Sequence, residues 1–257
     1  DLIVAMKPLG DTIRCVEWEE LPPRARNIPD GFNPMDAGVL MQHQIDWLRI
    51  DTPIKVCGKG RRTGITFAEG LDSPLLAGAS KEAGGMDVYY IGDTKEKGLE
   101  FIGYCAKFTQ TIEMAEAGGI SEIEEVLFED QQEEGSTKNI TSYRIRYASG
   151  FKIVALSSNP ANIRGLQGKV IIDEAAFHRN VAAVIDAATA LLIWGGRVSI
   201  ISTHFGRGNP FNALIKDIQD GRYGDSAAVY VCTFDDAVAN GLYERVCMMK
   251  GDVATIE

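Results

Sequence analysis

The sequence predicts an α/β fold with a largely parallel central sheet flanked by helices. Short, continuous apolar runs at Val88–Ile91, Lys169–Ile172 and Arg197–Ile201 read as strands buried on both faces. Helical patterns alternate with them, most clearly the segment carrying Leu99, Ile102, Cys105, Ala106 and Phe108. At 257 residues, 45% hydrophobic and 24% charged, the chain is long and apolar enough for one large core.

Each element can be justified in order. Residues 1–35 are rich in Pro, with turn signals at Leu21-Pro-Pro-Arg and Ile28-Pro-Asp-Gly, and read as an N-terminal arm. From Asp36, the spacing of Val39, Leu40, Ile45 and Leu48 predicts a short amphipathic helix. Ile54-Lys-Val-Cys57 reads as a strand, and a helix starts at Ile65 after a glycine-rich loop. A Gly/Ser-rich stretch at residues 78–85 closes that unit, and the Val88–Ile91 strand follows. Asp93-Thr-Lys-Glu96 has the form of a capping box opening a long helix that ends near Gly118-Gly119. Tyr143–Tyr147 and Phe151–Leu156, separated by Ser149-Gly150, predict a hairpin. After the strands at 169–172 and 197–201, Asn209-Pro210 supplies an N-cap and N1 proline for a helix that Gly221 ends. A last strand, Ala228–Cys232, precedes a polar tail, and no internal repeat is present.

The net charge of −10 is unevenly spread. Residues 113–134 hold nine acidic side chains and no Lys or Arg, leaving the remainder at −1, so a local basic patch for DNA is not excluded. That acidic segment reads as a solvated helix face or loop. No apolar run reaches membrane-spanning length, so no membrane partner is expected. The five cysteines are far apart, without a C-x-x-C pair, and only three histidines are present. This pattern predicts reduced thiols and no structural zinc.

The chemistry concentrates in Gly58-Lys-Gly-Arg-Arg-Thr-Gly-Ile-Thr66. Laid on G-x-x-x-x-G-K-[ST], Gly64 and Thr66 occupy the final glycine and the hydroxyl, Ile65 stands where lysine is usual, and Lys59 takes the first glycine's slot. A strand before the loop and a helix after it would turn backbone N–H groups toward phosphate. Gly60 and Gly64 permit the tight path, Thr66 could reach Mg2+, and Lys59, Arg61 and Arg62 supply cations. The same window also fits a basic turn without a ligand, or a G-x-G-x-x-x-G dinucleotide fingerprint with arginines for a 2′-phosphate.

Asp173-Glu174, at the end of an apolar strand, discriminates among these readings. In a phosphate-loop ATPase the first carboxylate holds Mg2+ through its water shell and the second polarises the attacking water. Three weaker features lean the same way. Gln44 in Met41-Gln-His-Gln44 resembles an adenine-reading glutamine, Ser202-Thr203 ends the next strand, and Arg164 lies in a Gly/Pro-punctuated loop before Asp173. Taken alone, these could equally be a polar helix face, turn chemistry and a surface cation.

Together, Gln44, Lys59–Thr66, Ile171-Ile-Asp-Glu-Ala-Ala-Phe177 and Ile201-Ser-Thr-His-Phe-Gly-Arg-Gly-Asn-Pro-Phe211 resemble the large terminase subunit of tailed bacteriophages and prophages. A lysine at the start of the loop resembles the variant of Mu-like and lambda-like terminases, and the Mu-like type is the one expected here. The His204-Phe205 pair departs from that family's usual Ser-Thr-Pro-Asn-Gly-type segment. The resemblance implies a RecA-like P-loop (ASCE) ATPase that uses ATP and Mg2+ to drive double-stranded DNA into a procapsid. It implies that Lys59, Gly60, Gly64, Ile65 and Thr66 hold the nucleotide, that Thr66 and Asp173 hold the metal, and that Glu174 is the catalytic base. Arg61 or Arg62 would sense the γ-phosphate, Gln44 would read adenine, Ser202 and Thr203 would couple hydrolysis to movement, and Arg164 would contact DNA or a neighbouring subunit.

Implied partners are double-stranded DNA, the portal protein, the small terminase subunit and further copies in a ring, in the host bacterial cytoplasm. The resulting organisation is an arm at 1–35, an ATPase domain at 36–232 and a connector at 233–257 toward a nuclease domain that this chain is too short to hold. The start at Asp1 fits an excised domain, nuclease activity is not expected, and Asp235-Asp236 are assigned no metal. A helicase-like translocase, an NADP-binding oxidoreductase and a non-hydrolysing scaffold are the alternatives.

Overall fold

The computed structural model describes residues 8–15, 20, 38–116, 123–131, 137–156, 166–190, 192 and 195–250. Its strands are β1 (Pro8–Cys15), β2 (Ile54–Lys59), β3 (Val88–Ile91), β4 (Ile123–Gln131), β5 (Thr137–Arg146), β6 (Lys152–Leu156), β7 (Lys169–Asp173), β8 (Arg197–Ser202) and β9 (Ala227–Cys232). The helices are α1 (Gln42–Arg49), α2 (Ile65–Gly78), α3 (Lys95–Glu116), α4 (Val181–Thr189), α5 (Pro210–Gln219), α6 (Phe234–Ala239) and α7 (Leu242–Lys250). All nine strands join one sheet in the order β1-β4-β5-β6-β3-β7-β8-β2-β9. The six from β6 to β9 run parallel, while β5, β4 and β1 extend the sheet antiparallel.

The apolar runs are continuous because both faces of the parallel strands are covered. Val56, Tyr89, Val170 and Ile200 pack with Val184 of α4 and Phe211 and Leu214 of α5. Their neighbours Cys57, Tyr90, Ile171 and Ile201 point the other way and pack with Trp47, Ile65, Phe101 and Ile102 of α1, α2 and α3. The period-2 alternation thus feeds two cores instead of one core and solvent.

Four sequence expectations need correction. The acidic segment is not simply a helix face or loop, because Ile123–Gln131 is strand β4. The apolar run Val126-Leu-Phe128 inside the acidic segment carries strand propensity that net charge obscured. Within the N-terminal arm, Pro8–Cys15 is strand β1, paired with β4. The tail after β9 folds as α6 and α7, and Thr233 and Asp236 form a capping box at the start of α6. The cap of α3 also sits one residue later than expected, because Thr94 Oγ1 accepts from the Lys97 N–H at 3.3 Å.

Topology decides against the dinucleotide reading. In that fold the glycine-loop strand pairs with the next strand in sequence. Here β2 lies between β8 and β9, and β3 pairs with β6 and β7.

Candidate functional site

The C-terminal ends of β2, β3, β7 and β8 open into a cleft of about 830 Å³, within the range that accommodates a small-molecule ligand. The loop after β2 forms one wall. Gly60 N donates to Cys232 O at 2.7 Å, and a Cβ at Gly60 would come within 2.7 Å of Phe234 N. Gly64, at φ 75°, turns the chain into α2. Arg62 also has a positive φ, 63°, uncommon for a residue with a Cβ. Both Arg61 and Arg62 are exposed and line the cleft.

Gln44 is buried under this loop. Its Nε2 donates to Gly64 O at 2.7 Å and its Oε1 accepts from Met41 N at 2.8 Å. Each amide atom therefore has one further hydrogen-bonding position. Ile65 is fully buried, its side chain in the core, so what it can offer a phosphate is its backbone N–H at the start of α2.

Asp173 and Thr66 meet directly, with Thr66 Oγ1 donating to Asp173 Oδ2 at 2.9 Å. Tyr90 OH donates to the same oxygen at 2.8 Å, and the Glu174 N–H donates to Oδ1 at 2.9 Å. Burial and the neighbouring Asp173 push the Tyr90 phenol well above its ordinary pKa, so it stays a donor. Glu174 turns away from Asp173 because its backbone is left-handed, at φ 50°. The turn is held by Phe177 N donating to Glu174 O and by a ring nitrogen of His178 bonding Asp173 O at 2.8 Å.

The Glu174 carboxylate meets Lys59 Nζ at 3.0 Å and Lys97 Nζ at 3.4 Å. Burial raises its pKa, but Lys59 and then Lys97 outweigh burial and hold it below the ordinary carboxylate value.

Strand β8 lies between the loop strand and the carboxylate strand, with Ser202 level with Gly58 and Ile201 level with Asp173. Ser202 Oγ accepts from Ala176 N at 3.0 Å and donates to Thr203 O at 2.8 Å. Asn209 Nδ2 donates to Ala176 O at 3.0 Å, so the turn after Glu174 is clamped from the end of β8 and the start of α5. Thr203 lines the cleft. Arg164 lies outside the described residues.

Several lining residues escaped sequence reading. Tyr90 was hidden in an apolar strand and Lys97 in a charged helix start, while Asn209, which clamps the turn from outside the lining, was hidden behind its role as a cap. Leu242, Arg245, Val246 and Met249 of α7 also face the cleft, and Arg245 Nη2 donates to Gly38 O at 2.8 Å. For Lys97, the available signal was a cation in the first turn of a helix, where the macrodipole disfavours it.

Hard oxygens at Thr66 and Asp173 suit Mg2+, which takes few protein ligands and completes its shell with phosphate and water. Among the described residues, no group of three or more His, Cys, Asp or Glu forms an all-protein metal cage. No described helix is long and apolar enough to cross a membrane.

No protein-family model matches the chain. It is 46% identical over 233 residues to the Mu-like prophage FluMu protein gp28 of Haemophilus influenzae, covering 90% of this chain and 44% of that one. It is 43% identical over 216 residues to the probable terminase large subunit gp28 of Escherichia phage Mu, covering 83% and 38% respectively. The chain therefore spans less than half the length of either relative. The large terminase ATPase domain of Thermus phage P74-26 superposes with a TM-score of 0.54 at 17% identity, covering 81% of this chain and 88% of that one. That likeness shows that the two share one α/β fold.

Proposed function

We infer that this chain, a homologue of Mu-like terminase large subunits over most of its length, is the ATP-hydrolysing portion of a motor that drives double-stranded DNA into a procapsid. The carrying observation is the 2.9 Å Thr66–Asp173 contact, with Glu174 next in the chain and paired to the loop's own lysine. The reading is supported by these four side chains standing together at one edge of the sheet.

In this reading, the backbone of Gly60–Thr66 and Lys59 bind the phosphates, while Arg61 or Arg62 reaches the γ-phosphate. Gln44 keeps the loop in shape and offers its remaining amide positions to adenine. Mg2+, held at Thr66 and Asp173, would neutralise phosphate charge. Tyr90 keeps Asp173 oriented, and Glu174 accepts the proton of the attacking water. Ser202 and Asn209 transmit displacement of the 174–177 turn to β8 and α5, with Thr203 beside the nucleotide. Arg164 is assigned to DNA or to a neighbouring subunit's phosphate.

The working assembly is a ring of copies with the portal protein and the small terminase subunit, in the cytoplasm of the bacterial host. Residues 1–35 are read as an arm and 233–257 as a connector, of which helix α7 also walls the cleft. Titrating the chain with Mg2+–ATP and with NADPH tests the ligand class. Saturable binding of the first alone is expected, and binding of NADPH alone would overturn the reading.

A further inference from the structure

Two ammonium groups converge on one oxygen of Glu174, and they are not equivalent. Lys59 ends the loop strand with its side chain 7% exposed, whereas the Lys97 side chain is 37% exposed at the start of α3. The first turn of a helix is an unfavourable place for a cation, because the N-terminus carries partial positive charge. Local geometry nevertheless aims Lys97 inward. A Cβ at Gly92 would come within 3.0 Å of Lys97 Cβ, so the glycine leaves room for the lysine stem against the end of β3. Burial disfavours the charged ammonium there, but Asp173, Glu174 and Asp93 together outweigh burial.

We propose that Lys97 is a positioning residue that keeps Glu174 paired and oriented when Lys59 leaves it for the nucleotide phosphates. This rests on the reading of Glu174 as the base and Lys59 as a phosphate ligand. Before nucleotide binds, Lys59 is paired with Glu174 Oε1 and is not available to phosphate. A triphosphate carries more negative charge than one carboxylate and draws Lys59 away. Without a second cation, that transfer would strand a partly buried carboxylate, a costly state. Lys97 retains its hold on Oε1, leaving Oε2 to take the proton from water. Lys97 itself touches no phosphate.

A double-mutant cycle on binding tests this without relying on turnover. The chain, Lys97→Met, Glu174→Gln and the double variant are titrated with Mg2+ and a non-hydrolysable ATP analogue by calorimetry. Lys97→Met is expected to weaken binding about tenfold in the parent, the scale of one charge-assisted hydrogen bond. In the Glu174→Gln background it should change binding by less than about twofold, because no charge is then stranded. Lys97→Arg, which keeps the charge, should bind as the parent does, and Lys97→Gln repeats the test should the methionine variant misfold. Equal weakening in both backgrounds would make Lys97 a direct phosphate ligand and overturn the proposal, as would no weakening in either. A parent that binds no nucleotide is a different failure, of the ATP-site reading itself.

Discussion

Replacing Glu69 by glutamine removes the charge at the centre of a buried network at the N-terminal ends of the strands, away from the cleft. Lys169 Nζ lies 2.6 Å from both Glu69 Oε2 and Asp72 Oδ2, and Lys55 Nζ lies 3.5 Å from Glu69 Oε1. Trp47 Nε1 donates to the same Oε1 at 2.8 Å. These residues tie the N-terminal ends of β2 and β7 to α1 and α2, and so fix the strands whose far ends carry the loop and Asp173. Glutamine keeps the shape, so the loss is electrostatic. Breaking a buried ion pair by removing one partner costs about 3–5 kcal/mol. Asp72 still faces Lys169, and Trp47 O still accepts from Lys55 at 3.3 Å, which argues for the lower end, about 3 kcal/mol. At about 2–4 °C per kcal/mol for a domain of this size, the melting temperature should fall by roughly 6–12 °C.

The same variant makes a pH prediction. Burial raises the Glu69 pKa, but Lys169 and then Lys55 outweigh it and hold the group below its ordinary 4.5. The folded value lies below the unfolded one, so this stabilisation is present above about pH 4.5 and is lost as pH falls toward the folded value. Thermal unfolding followed by circular dichroism from pH 7 to pH 3 should show a steeper acid loss in the parent than in Glu69→Gln. A melting shift below about 1 °C, or identical acid limbs, would refute the account of the network.

Other expected outcomes concern the cleft. Thr66→Val should leave folding intact but remove most of the Mg2+-dependent gain in ATP affinity, at least about tenfold, read by titrations with Mg2+ and with EDTA. Gly64→Ala forces a left-handed residue whose Cβ would lie 2.5 Å from Gln44 Nε2. It should cost about 1–2 kcal/mol in denaturant midpoint analysis and also weaken ATP binding. Ser202→Ala leaves the buried Ala176 N–H without its acceptor. That should cost about 1–3 kcal/mol in the same assay.

The parallel strands, the hairpin and the loop–helix unit were legible because burial on both faces and glycine placement leave local marks. Asp173, Glu174, Lys59, Thr66 and Ser202 could be singled out for the same reason, each standing at the end of a recognisable strand or the start of a helix. Strand β4 was not, because its paired acidic residues look like a solvated segment until β1 and β5 are known to flank it. Tyr90 and Lys97 depend on which strands are neighbours, information that no local window carries. Gln44 was singled out for adenine, yet its hydrogen bonds to the loop backbone could be seen only in three dimensions.

The most direct test of the central claim is phosphate release by Glu174→Gln at saturating Mg2+–ATP, with nucleotide affinity measured on the same preparation. Loss of the general base should lower turnover about 100-fold or more while the variant still binds nucleotide. Turnover equal to the parent's would contradict the assignment of Glu174, and with it the proposal that this cleft hydrolyses ATP.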